Sequence, residues 1–293
     1  MSTTDSPRTS SLLGRLREDR PLVTVELRAP RSGLSYADSV DVWIDMYHSI
    51  QRLARRDTYL FLTDNAVGAS EEENLNHLTA NLAADVPLAR MAPFLTCKHT
   101  LEYCLMYAKR AASRGFEALV VLGGDQSVGL PRCVPHASEL RQSIREQVPS
   151  LTLGGWANPH KDPVEQVGYI NQESFTAEYL LTQVVSHHSI SHVEGFLEES
   201  RRRGVSSPAV FGVFFYRSAN PTTLARLGEF FPVPAEELTR EFETGASAEE
   251  ICVRTIKALR DVGADKIYLS NLGFKGVERR YGRIMTALGN GWA

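Results

Sequence analysis

Eight short apolar runs, each followed by a stretch with helical periodicity, constrain this 293-residue chain more than any other feature. The runs are Val23–Leu27, Tyr59–Thr63, Ala92–Thr96, Ala118–Leu122, Leu151–Trp156, Tyr179–Val185, Ala209–Phe215 and Lys266–Asn271. They are nearly continuous in Val, Leu, Ile and aromatic residues. A strand covered on one face alternates apolar with polar; a strand covered on both faces does not, and such strands belong to parallel sheets flanked by helices. Parallel neighbours need a crossover, which the helical stretches supply. These read as Ala37–Leu53, Ser70–Leu82, Leu101–Ser113, Ala137–Gln147, Pro163–Thr176, Ile190–Arg203, Thr222–Phe230, Pro234–Glu243, Ala248–Val262 and Gly276–Ala287. Eight strands with polar residues at most of their ends point to a (β/α)8 TIM barrel, with an open doubly wound sheet as the alternative.

Residues 21–293 read as one barrel domain, and residues 1–20 as a loosely ordered N-terminal tail. The net charge of −3 argues against nucleic acid as a partner, because phosphate binding needs a basic face. No run approaches the ~20 apolar residues of a membrane span, and the first residues lack the apolar core of a secretory signal. The cysteines (Cys97, Cys104, Cys133 and Cys252) form no CxxC pair. A cytoplasmic protein with reduced thiols is the expectation.

In such a barrel the chemistry sits where strands end. Those ends carry Glu26, Thr63 with Asp64 and Asn65, Thr96, Gly124–Asp125, Trp156 with His160 beyond it, Thr182–Gln183, Tyr216, and Ser270–Asn271. Glu26 interrupts an apolar run. A carboxylate there is costly unless paired or protonated, so it reads either as a general acid or as half of an ion pair. Asp125 follows two glycines whose bare backbone can approach a ligand, or can simply turn a loop. Gln183 offers a donor and an acceptor that suit a heterocycle edge; an inward glutamine bonded to a neighbouring strand is the alternative. His187, His188 and His192 sit close in sequence but match no metal-binding pattern. They read as a surface helix start, so no metal site is expected. Arg201–Arg203 reads as a solvated helix end.

The ordered motifs VTVEL around Glu26, the Thr63 strand end, APFLTC at Ala92–Cys97, VLGGD at Val121–Asp125, GGWANPH at Gly154–His160 and LLTQ at Leu180–Gln183 resemble the catalytic barrel of methylenetetrahydrofolate reductases. The resemblance runs from about residue 22 to 285 and is specific up to about residue 185. It implies FAD in the barrel and hydride transfer from NAD(P)H to 5,10-methylenetetrahydrofolate. By the same resemblance, Glu26 is the acid that protonates the folate. Asp125 lies near flavin and pterin, and Gln183 contacts nicotinamide or folate. Thr63, Gly124, Asp125, Ala137, Trp156 and His160 match positions around the flavin. His136 and Gln172 stand where the family has Tyr and Lys, Phe94 where it has His, and Gly123 where it has Arg. The family's patterns at strands seven and eight are also replaced, by FGVFFYRS at Phe211–Ser218 and YLSNLGF at Tyr268–Phe274. Losing Arg and Lys removes charge-assisted partners for a diphosphate. Phe214, Phe215 and Tyr216 offer a replacement stacking surface or pack the barrel mouth. Three readings follow: an FAD-dependent reductase, a flavin-free member of the class with direct NAD(P)H-to-folate transfer, and a non-catalytic partner subunit. Members of the family commonly form homo-oligomers.

Overall fold

All eight apolar runs are strands, and they close on themselves. The computed structural model describes residues 11–29, 34–63, 80, 86–124 and 130–292. The strands are β1 (Leu22–Arg28), β2 (Leu60–Thr63), β3 (Met91–Thr96), β4 (Ala118–Leu122), β5 (Thr152–Ala157), β6 (Tyr179–Val185), β7 (Ala209–Phe214) and β8 (Lys266–Ser270). Each is parallel to the next, and β8 pairs with β1 through Leu22–Lys266 to Val25–Leu269, completing a (β/α)8 barrel. The helices are α1 (Leu12–Arg17), α2 (Tyr36–Ala54), α3 (Leu101–Ser113), α4 (Ala137–Gln147), α5 (Pro163–Ile170), α6 (Ile190–Arg202), α7 (Pro221–Gly228), α8 (Ala235–Glu243), α9 (Ala248–Asp261) and α10 (Val277–Leu288). The expected helix at Ser70–Leu82 lies, apart from residue 80, outside the described residues. Side-chain caps start many of the rest: Ser35, Thr100, Asp162, Asn220 and Ser247 each accept a backbone N–H from the first turn.

The sheet divides its residues by parity. Val23, Val25, Leu60, Leu62, Leu119, Val121, Leu153, Phe211, Val213, Ile267 and Leu269 face outward into the core shared with the helices. Leu22, Phe61, Ala92, Phe94, Val120, Tyr179, Leu181, Val210 and Tyr268 fill the barrel interior. Both faces are dry, which explains the unbroken apolar runs.

Two tyrosines lace the interior across glycines. Tyr179 on β6 donates to the Leu119 carbonyl on β4 (3.1 Å), and a Cβ at Gly154 on the intervening β5 would lie 2.5 Å from its ring. Tyr268 on β8 donates to the Thr182 carbonyl on β6 (2.6 Å), and a Cβ at Gly212 on β7 would lie 2.4 Å from its hydroxyl. The Thr182 carbonyl is available because β6 bulges against β7 between Leu181 and Val184. The same bulge leaves the Gly212 amide to the Thr182 hydroxyl, which accepts it at 3.2 Å.

Two expectations are corrected. The segment 12–17 of the expected loose tail is helix α1, whose Leu12 and Leu16 are each 2% exposed and pack into the interior cluster with Leu22. Burying two leucines outweighs the low propensity of so short a helix. Arg15 anchors it by donating to the Pro21 carbonyl (2.7 Å). The stretch Pro163–Thr176 is not one helix: α5 ends at Ile170, a 3-10 turn covers Glu173–Phe175, and Thr176 is left-handed at φ 57°. The buried Arg141 draws the Phe175 carbonyl out of helical register, donating to it from Nε and Nη2.

Candidate active site

Glu26 sits on the inward parity of β1 near its C-terminal end, with a 10% exposed side chain. The Thr63 hydroxyl at the end of β2 donates to its Oε1 at 3.3 Å, and the Arg28 Nε lies 3.9 Å from the same oxygen. Arg28 is 67% exposed, so this ion pair is weak and solvent-screened. Below lies Tyr268, whose hydroxyl is raised well above its ordinary value, first by burial and then by the Glu26 carboxylate. It therefore stays protonated and keeps its bond to Thr182. Tyr268 is the element that links the Glu26 neighbourhood to β6.

On β6, Gln183 occupies the bulge and is half-buried. Its Oε1 accepts the Val184 N–H (2.9 Å), while its carboxamide nitrogen has no partner among the described residues. His160, beyond β5, lies with Nε2 2.9 Å from the Val184 carbonyl, tying the β5 loop to the end of β6. Burial pushes its pKa below the ordinary value, so the imidazole is neutral at pH 7 and donates Nε2–H. Trp156 lies on the inward parity of β5, half-buried against the interior cluster.

The end of β4 departs from what the sequence implied. Asp125 lies outside the described residues. Gly123 stands where the family has Arg, yet a guanidinium is present: a Cβ at Gly123 would lie 2.7 Å from Cζ of Arg132. Arg132 donates from Nη2 to the Gly124 carbonyl at 2.6 Å. Gly124 is left-handed at φ 76°, and a Cβ there would meet Cγ of Lys98 at 2.7 Å. Lys98 in turn donates to the Leu130 carbonyl (2.9 Å). Two basic side chains thus pack against the Gly123–Gly124 turn, Arg132 by its guanidinium and Lys98 by its stem. Sequence reasoning missed both because Lys98 comes from the segment after β3 and Arg132 from further along the loop, and nothing in their spacing signals the approach.

On the flank of this turn, His136 caps α4 directly before Ala137 and its ring lies 6.3 Å from that of Tyr169. The exposed Gln172 is tied to the same tyrosine, donating its N–H to the Tyr169 carbonyl (3.3 Å). Phe94 is 9% exposed and meets Phe61 edge-on, adding to the interior stack. Cys97 is no nucleophile: burial, reinforced by Cys133, pushes its thiol up to about 12.

Of the two readings of the β7 aromatics, packing holds for Phe215 and Tyr216. Phe215 is 2% exposed and faces the helices, and Tyr216 is 8% exposed in a cluster with Leu224, Leu238 and Ile251. Phe214 alone is half-buried, against Tyr216 and Phe231. Near the end of β8, Arg217 donates to the Asn271 carbonyl (3.1 Å), placing a guanidinium there from the β7 side.

No protein-family model matches the sequence, and no curated protein resembles it in sequence. Solved structures share the fold. An uncharacterized protein from Clostridium thermocellum that binds two copies of 5-methyl-5,6,7,8-tetrahydrofolic acid superposes with a TM-score of 0.63 at 16% identity, over 89% of this chain and 94% of its own. An F420-dependent secondary alcohol dehydrogenase, solved with an F420-acetone adduct, superposes with a TM-score of 0.56 at 10% identity, over 92% and 100%. Among the described residues no helix is long and apolar enough to cross a membrane.

Proposed function

We propose that this protein is an oxidoreductase of reduced folates, of the methylenetetrahydrofolate reductase type, which passes hydride from NAD(P)H to 5,10-methylenetetrahydrofolate by way of FAD. One observation carries the reading: Glu26, a carboxylate at the mouth of β1 on its inward parity with a 10% exposed side chain, is hydrogen-bonded by the Thr63 hydroxyl and paired only loosely with the exposed Arg28, at 3.9 Å. A carboxyl group so placed can deliver a proton to a substrate nitrogen away from bulk water. The folate bound by the Clostridium protein of the same fold supports the substrate class.

The residues at the end of β4 fit a flavin dinucleotide. The Gly123–Gly124 turn has no side chain of its own; the Arg132 guanidinium lies over Gly123 and the Lys98 stem packs against Gly124, so a diphosphate bound there would meet basic side chains. Thr63, Gly124, Asp125, Ala137, Trp156 and His160 would hold the cofactor, with His136 and Gln172 on the flank. When bound, the flavin supplies a two-electron carrier between nicotinamide and folate. Glu26 gives its proton to a nitrogen of the folate's five-membered ring, which opens to the iminium. Thr63 fixes the carboxyl group through Oε1. The carboxamide nitrogen of Gln183, which has no partner among the described residues, binds the folate or nicotinamide edge, and Trp156 offers a ring face. One hydride and one proton are consumed for each 5-methyltetrahydrofolate formed.

A specific observation favours a second reading, direct transfer from NAD(P)H without flavin. Arg132 already donates to the Gly124 and Pro135 carbonyls, and Gln172 is neutral and exposed. An absorbance scan of the purified protein separates the two. A flavin spectrum bleached by NADH and restored by methylenetetrahydrofolate supports the first reading, and steady turnover by colourless protein supports the second. Absence of folate binding by calorimetry would sink both and leave a non-catalytic partner.

A further inference from the structure

His187 and His188 stand at the helix start read from the sequence, but they are not merely surface residues. They form a 3-10 turn, His187–Ser189, between β6 and α6, and both lean on Glu241 of α8. The Nε2 of His187 lies 3.2 Å from Oε1 of Glu241, and the Nε2 of His188 lies 3.3 Å from Oε2. The three side chains are 13%, 21% and 12% exposed, in that order. Their ligand atoms all lie within 4.8 Å of one another, the single such group of three among the described residues.

Nδ1 of His187 lies 2.8 Å from the Thr255 hydroxyl in α9, which fixes the ring and aims Nε2 at Glu241. A cation at Nε2 would take the place of the proton that otherwise bridges His187 to the carboxylate. A histidine whose second nitrogen is fixed by a hydroxyl is also how proteins orient imidazole ligands. The spacing suits the same conclusion: metal–ligand bonds of ~2.0 Å give a tetrahedral edge of about 3.3 Å.

We propose that His187, His188 and Glu241 form a binding site for one divalent transition-metal ion of the zinc class. Two imidazoles and one carboxylate suit such an ion better than magnesium or calcium, which take oxygen ligands. Three protein ligands leave one position for water. The ion would clamp the end of β6 to α8, joining two segments 54 residues apart in sequence. Arg254 competes for the same carboxylate, pairing with Glu241 Oε1, but it is 51% exposed and can swing into solvent. This inference does not rest on the reaction proposed above.

The test uses the full chain, stripped with chelator and titrated with Zn2+ and Co2+. One equivalent per chain is expected, and Co2+ should give the strong visible bands of four-coordination. His188→Ala and Glu241→Gln should each weaken Zn2+ binding at least tenfold. Arg254→Gln, an exposed change that spares the fold, should tighten it about threefold or more by freeing the carboxylate. Less than a tenth of an equivalent bound by the wild type overturns the proposal. So does an affinity that is the same in wild type, His188→Ala and Arg254→Gln.

Discussion

Glu26 was legible because a charge interrupts an apolar run, and its replacement gives the sharpest check on the chemistry. Glu26→Gln keeps the shape and the Thr63 contact but removes the proton. Turnover should fall by roughly 10²-fold or more, as for loss of a general acid, with folate affinity by calorimetry nearly unchanged. Full activity in this variant would remove the assignment. Thr63→Val deletes one hydrogen bond of about 1 kcal/mol, so a kcat loss of roughly fivefold is expected. Gly212→Ala tests the interior lacing. Its Cβ would stand 2.4 Å from the Tyr268 hydroxyl, and urea unfolding should report a loss of about 1–3 kcal/mol from overpacking. Pairing it with Tyr268→Ala should recover part of the loss caused by the clash. Other residues were not legible. The guanidinium of Arg132 stands over Gly123 because a loop returns there, and the chain spacing carries no trace of that return. The approach of Glu241 to His187 likewise needs two separate loops of the closed barrel.

Helix α1 shows where element-scale reading fails. Six residues with two arginines carry little helical signal, and its stability comes from docking. Leu16→Ala should cost about 2–5 kcal/mol in urea unfolding, as core truncations do; a loss under about 0.5 kcal/mol would show that the barrel floor does not need it. The C-terminal turn of α6 is also more than a solvated basic end. Glu199 accepts from Arg202 (2.6 Å) and Arg203 (2.5 Å), and these bonds, Arg202 first, hold its carboxyl down to about 2. The folded form binds its proton more weakly than the unfolded chain. The stability Glu199 contributes is therefore complete above the ordinary carboxylate range, near 4.5, and drains away as pH falls toward 2. The urea midpoint of the wild type should drop further between about pH 5 and pH 3 than that of Glu199→Gln.

For the molecule as a whole, the sheet was readable and its contents were not. Runs such as ALVVL at Ala118–Leu122 and AVFGVFF at Ala209–Phe215 declare strands covered on both sides, and eight of them leave closure as the economical solution. Which residue of each run faces inward follows from parity, except on β6, where the bulge between Leu181 and Val184 shifts the count at Thr182–Gln183. That shift needs a neighbouring strand to be recognised. It also sets Gln183 apart from the regular ladder, at the place where a barrel keeps its variable chemistry.

The tyrosines at 179 and 268 occupy volume vacated by the glycines at 154 and 212 on the preceding strands. Neither partner can drift alone. In a descendant of this sequence, a side chain gained at either glycine goes with a ring lost beside it, so each pair passes on as a single heritable unit.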